Sequence, residues 1–113
     1  MNLYALKIIT QMSKQPGDFQ VKTISGQINT WTEFILRNKN DQLHSLNSPA
    51  VFTIISNTLR KETISFSEVW FDNDKKHRLD GPADACYDLE LKPIFTQYWH
   101  YGFRVHSPDK KQQ

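Results

Sequence analysis

The order of apolar and polar positions divides the chain into short segments with strand-like alternation. Residues 3–10 run Leu3-Tyr4-Ala5-Leu6-Lys7-Ile8-Ile9-Thr10, a brief segment with a β-branched end, and predict a strand. Pro16-Gly17 then predicts a type II turn, because proline presets φ and glycine accepts positive φ. A hairpin to residues 19–25 is expected, with Phe19, Val21 and Ile24 as core candidates and Gly26 closing the strand. Residues 28–37 carry two signals. Ile28, Thr30, Thr32, Phe34 and Leu36 alternate with Asn29, Trp31, Glu33 and Ile35, which predicts a strand. Thr30 and Glu33 also have the form of a helix capping box, so a short helix near 30–37 is the alternative. Val51-Phe52-Thr53-Ile54-Ile55 and Thr63-Ile64-Ser65-Phe66-Ser67 are further strands, the second with one wet face.

The later chain repeats itself. Leu43-His44-Ser45-Leu46-Asn47-Ser48-Pro49-Ala50 aligns with Lys76-His77-Arg78-Leu79-Asp80-Gly81-Pro82-Ala83 at an offset of 33, matching His, Leu, Pro and Ala. A second alignment, offset by 29, sets Trp99 on Trp70, Gly102 on Asn73, Arg104 on Lys75 and His106 on His77. Three aromatic-turn-histidine units thus cover residues 31–106. In the central unit Val69 to Phe71 enter, Asp72-Asn73-Asp74 turn the chain, and Asp80-Gly81-Pro82 break the ladder. Here glycine is expected to supply an unusual backbone state, and proline lacks an N–H. Each hairpin exposes an apolar face and an edge that its neighbour can cover.

The composition agrees with one small β-domain. A chain of 113 residues holds a single core. Its 38% hydrophobic residues include seven Phe, four Tyr and three Trp, so a few bulky side chains must build that core. Lysine and arginine outnumber aspartate and glutamate by 14 to 12, and they are scattered, which is weak evidence against nucleic-acid binding through phosphates. Cys86 is the one cysteine, so an intrachain disulfide and multi-cysteine zinc patterns are excluded. No apolar run reaches the ~18–20 residues of a membrane span. A cytoplasmic protein without a cofactor is expected.

His77-Arg78-Leu79-Asp80-Gly81-Pro82-Ala83, preceded by Trp70-Phe71 and a turn, resembles the His-Arg-x-Asp-Gly-Pro-Ala repeat of small phage and bacterial proteins, a motif similar to MORN-type β-hairpin repeats. Residues 98–106 look like the opening half of another copy, and residues 43–50 like an eroded one lacking Arg and Asp-Gly. The resemblance covers about two thirds of the chain. It implies a meandering antiparallel sheet and a phage or mobile-element origin, with a host-cell cytoplasmic location, and it transfers no catalytic residue.

The candidate chemistry is binding. Trp70 and Phe71 are neighbours on a strand and must face opposite sides, as must Tyr98 and Trp99. With Tyr101 and Arg104 they form a candidate protein-binding surface, since Trp, Tyr and Arg dominate interface hot spots. The expected function is a non-enzymatic protein-binding module, of which an inhibitor of a host defence protein is the specific form. A metal-assisted hydrolase or nuclease using His77, Asp80 and His106 is the alternative, and single-stranded nucleic-acid binding through exposed aromatics is the third. The expected architecture is all-β: a single-domain antiparallel meander over 1–106, with 1–30 as an N-terminal hairpin cap, 31–106 as repeat units and 107–113 as a flexible tail. An edge-paired homodimer is one option for such a sheet.

Overall fold

The computed structural model describes residues 2–107, so the tail expected at 107–113 lies, except for Ser107, outside the described residues. Residues 3–10 do not form the expected strand. They belong to a helix, α1 (Leu3–Ser13). Asn2 caps it, its side-chain oxygen accepting from the N–H groups of Tyr4 and Ala5 at 2.8 and 3.3 Å, two of the donors a helix start leaves open. Ala5, Ile8 and Met12 are buried, and their spacing of three, four and seven puts them on one helical stripe. On a strand, Ala5 and Ile8 would face opposite sides, so burial selects the helix. The N-terminal cap is therefore a helix followed by the first strand, and the helix among the described residues lies there, not at 30–37.

Residues 28–37 follow the strand alternative. β1 (Asp18–Ser25), β2 (Asn29–Arg37), β3 (Val51–Asn57), β4 (Thr63–Val69), β7 (Asp84–Asp88), β8 (Pro93–His100) and β9 (Phe103–Val105) form one seven-stranded sheet in that order. Every neighbouring pair is antiparallel. A two-stranded hairpin, β5 (Phe71–Asp72) with β6 (Lys75–Lys76), lies between β4 and β7 in the chain. The protein is thus the all-β, single-domain antiparallel meander that the strand pattern predicts, with one helix added.

Register decides which side chains meet the helix. Phe34, Phe52, Glu68 and Ala85 are successive cross-strand partners, as are Ile54, Phe66 and Tyr87, so these residues share one face. Leu36, Phe52 and Phe66 on that face are fully buried with Ala5, Ile8 and Met12 of α1, while Tyr4, Ile9, Phe19, Phe34 and Ile54 pack around them. Phe52 and Phe66 stack at 5.8 Å, and Tyr4 reaches both rings from the helix. The core candidates of the first strand divide differently from expectation. Phe19 stacks on Phe34 at 6.2 Å, but Val21 is 57% exposed beyond the helix, and Ile24 is exposed on the opposite face beside Trp31.

Gly17 joins α1 to β1 at φ +122°, and a Cβ there would lie 2.4 Å from the Arg37 carbonyl oxygen. The Pro-Gly pair therefore makes a close passage from helix to strand, not a hairpin turn. The packing predicts that Phe52→Ala lowers unfolding free energy by about 3–5 kcal/mol, the usual cost of emptying a large aromatic site. Urea denaturation measures it.

Candidate protein-binding surface and the hairpin units that build it

The structure gives the repeated segments a common bonding scheme. His44 Nδ1 accepts the Asn73 N–H at 3.2 Å, and His77 Nδ1 accepts the Tyr101 N–H at 2.9 Å. The Leu43 carbonyl accepts from Asp74, as that of Lys76 accepts from Gly102. Ser45 N–H donates to Phe71 O, and Arg78 N–H donates to Trp99 O. Ala50 and Ala83 are both fully buried and donate to Val69 O and Gln97 O, at 2.9 and 3.0 Å. Each histidine thus ties its hairpin to the turn of the next. Asn73 and Asp74 have positive φ, as do Tyr101 and Gly102, as a type I′ loop requires at both central positions. Tyr101 is a bulky residue at φ 49°, and its ring stacks on His77 at 3.8 Å while its N–H bonds that same imidazole.

These bonds also correct the second alignment. Val69, Phe71, Asn73 and Asp74 correspond to Gln97, Trp99, Tyr101 and Gly102, an offset of 28 and not 29. Trp99 therefore occupies the place of Phe71, and Tyr98 that of Trp70. Val105, paired with Tyr98, stands where His77 stands, and His106 falls at the position of Arg78. Matching Trp to Trp moved the third unit by one residue, which on a strand exchanges the faces.

The intact Arg-x-Asp-Gly-Pro segment folds around its arginine. Arg78 lies over the Trp70 ring with Cζ 3.9 Å from the centroid, donates to Asp80 at 3.0 Å, and donates to the Pro82 carbonyl at 3.3 Å. A Cβ on Gly81 would lie 2.8 Å from Arg78 Cζ. Glycine here leaves room for the packed guanidinium and does not adopt the unusual φ that the sequence suggests. In the first unit Ser45 replaces the arginine and Ser48 the glycine. There the Ser45 hydroxyl donates to the Ser48 carbonyl, and Gln15 bonds both Ser48 Oγ and the Leu46 N–H. The first unit thus lacks both the arginine and the glycine that would adjoin it.

The six candidate residues do not form one patch. Trp70 and Tyr98 lie on the helix side: Trp70 Nε1 donates to Glu68, and Tyr98 is two residues from Thr96, the cross-strand partner of Ala85. Phe71, Trp99 and Tyr101 come together in a surface hollow of about 480 Å³ with Lys75, Lys76 and Phe103. Lys76 Nζ sits 5.0 Å above the Trp99 ring and 2.6 Å from Asp84, and Arg104 is the cross-strand partner of Trp99. Tyr101 and Phe103 are 54% and 75% exposed. Phe103 was missed in the sequence, although it alternates with Val105 beside a glycine turn and so had a strand face to occupy. His77, Asp80 and His106 do not converge. His77 is engaged with Tyr101, Asp80 with Arg78, and His106 lines a separate hollow with Tyr98 and Arg104. Among the described residues no three His, Cys, Asp or Glu side chains are grouped to hold a metal ion.

Glu68 is a second feature that sequence reasoning passed over, though it alternates with Phe66 and so had to face the core. It is 3% exposed, its Oε1 accepts from Trp70, and its Oε2 has no hydrogen-bond partner among the described residues. Burial pushes its carboxyl above the usual glutamate range, against the lowering effects of the Trp70 bond and of Arg78. Burial likewise raises the neighbouring Tyr87, with the Glu68 charge adding to the rise.

Comparison with family models, curated proteins and solved structures gives no significant match.

Two outcomes follow from this geometry. Gly81→Ser should cost about 1–3 kcal/mol by crowding Arg78, and much of that cost should vanish in an Arg78→Ser background, giving a coupling of at least about 0.5 kcal/mol in a double-mutant cycle. Glu68 has a raised folded pKa, so the folded state holds its proton to higher pH than the unfolded chain. Its contribution to stability is fully present below the unfolded glutamate value and is lost as pH rises through the folded one. Glu68→Gln should remove this fall, so the stability gap between variant and wild type should widen with pH across that window in denaturation titrations.

Proposed function

We propose that this protein is a non-enzymatic protein-binding module whose contact surface is the hollow lined by Phe71, Trp99, Tyr101 and Phe103. The observation that carries the reading is the exposure of Tyr101 and Phe103 beside two further aromatics on hairpins held by their neighbours. Large side chains already fixed on a rigid hairpin lose little freedom on binding, which is the character of interface anchors. Lys75 and Lys76 edge the same hollow and give it a polar rim. The sequence resemblance to phage and bacterial repeat proteins supports an inhibitor of a host protein as the specific form. No helix among the described residues is long and apolar enough to cross a membrane.

Affinity capture from a bacterial lysate tests the module. Wild type should retain a specific protein, and Tyr101→Ser with Phe103→Ser should reduce its recovery at least tenfold while circular dichroism stays unchanged. Equal recovery by both proteins would place the contact elsewhere.

A further inference from the structure

The two edges of the sheet are built differently. β9 is three residues long, a blunt edge, whereas β1 runs for eight residues and pairs with β2 without a bulge or an internal proline. All of β1 except Phe19 is exposed. Gly26 N–H donates to Asn29 O in the register of the β1–β2 pair, and antiparallel bonding alternates from there. Asp18, Gln20, Lys22 and Ile24 are therefore bonded to β2. Phe19, Val21 and Thr23 point their N–H and C=O groups away from the sheet. Long free edges of this kind are usually blunted by charge, proline or a bulge, and here Lys22 is the one charge inside the strand.

The geometry points to a second copy of this chain as the occupant of the β1 edge, joined antiparallel about a two-fold axis perpendicular to the sheet and passing beside Gln20. Such an axis keeps like faces together, so opposed residues must have numbers of the same parity. Four registers put the axis within the exposed middle of the strand, and with Thr23 on it Lys22 faces Ile24 and Val21 faces Ser25. With Lys22 on the axis, two like charges meet. With Val21 on it, Asp18 faces Ile24 and Lys22 faces Gln20. With Gln20 on it, Asp18 faces Lys22 of the second copy and Phe19 faces Val21, and each of these pairs occurs twice. The last register alone makes two ion pairs and two apolar pairs, and opposite-charge and apolar cross-strand pairs are the stabilising ones. It also makes Phe19 and Val21 of the two copies the hydrogen-bonded pairs, which satisfies four groups per copy that the isolated sheet leaves to water. The 57% exposed Val21, unexplained by the core, becomes a contact residue. This dimer is independent of the aromatic hollow and leaves it free.

A charge exchange and a cross-link test the register in the full-length protein. Sedimentation should show a concentration-dependent species of twice the monomer mass. Asp18→Lys alone and Lys22→Asp alone should each be monomeric, because like charges then meet. Their equimolar mixture should recover the dimer, since both ion pairs are restored between unlike copies. In a Cys86→Ser background, Gln20→Cys should oxidise to a disulfide-linked dimer, because non-bonded antiparallel pairs hold Cα atoms about 4.5 Å apart, within disulfide range. Lys22→Cys should not. A wild type that stays monomeric at its highest soluble concentration overturns the inference, whether or not a foreign peptide binds the edge. So does a dimer indifferent to both charge reversals, or one that cross-links through Lys22→Cys in place of Gln20→Cys.

Discussion

The bond from a turn N–H to the Nδ1 of a histidine in the preceding hairpin is the constraint on which the C-terminal half depends. A two-residue loop turns its amide groups outward, and at Asn73 and Tyr101 one of these finds an imidazole acceptor. This bond is made by Nδ1 in both hairpins. It places each loop against its predecessor, and the flanking carbonyl and amide of Lys76 and Arg78 complete three contacts within three residues. The left-handed backbone of Tyr101, costly for a large residue, is held by the ring on which it stacks. At His44 and His77 the imidazole connects one hairpin to the next, which accounts for its return at the same place in two units.

The strands, the meander and the first repeat offset were legible because they rest on local alternation and on turn residues. The N-terminal helix was not. Its sequence supports two periodicities, and the choice between them is made by a sheet face that forms from residues 19–87. The second repeat offset was misjudged for a related reason. Trp99 looks like Trp70, but the distance from each aromatic to its loop differs by one residue, and only hydrogen bonds across hairpins reveal it. Glycine 81 shows the same limit in another form: the residue type was informative, while its cause was a guanidinium packed against it and not a backbone angle. Of the six candidate binding residues, three meet in one hollow, and the separation of Trp70 and Tyr98 from them follows from strand alternation.

A single helix covering a seven-stranded sheet explains the uneven burial. Eleven residues of helix span about 16 Å, whereas seven strands at about 4.8 Å spacing extend roughly 29 Å from the first to the last. α1 therefore seals the centre, over Leu36, Phe52 and Phe66, and leaves both ends open. Val21 at one end and Ile94 at the other are exposed for this geometric reason. Glu68 sits at the margin of the sealed zone, under Trp70 and near Arg78, where water is excluded but no second carboxylate partner is supplied.

Val105 in the position of His44 and His77 decides where the series of loop-to-imidazole bonds stops. The β5–β6 loop rests on His44 and the β8–β9 loop on His77, and β9 then carries an isopropyl group where a further loop amide would need an acceptor. Among the described residues, the hairpin series is thus bounded by the identity of one side chain.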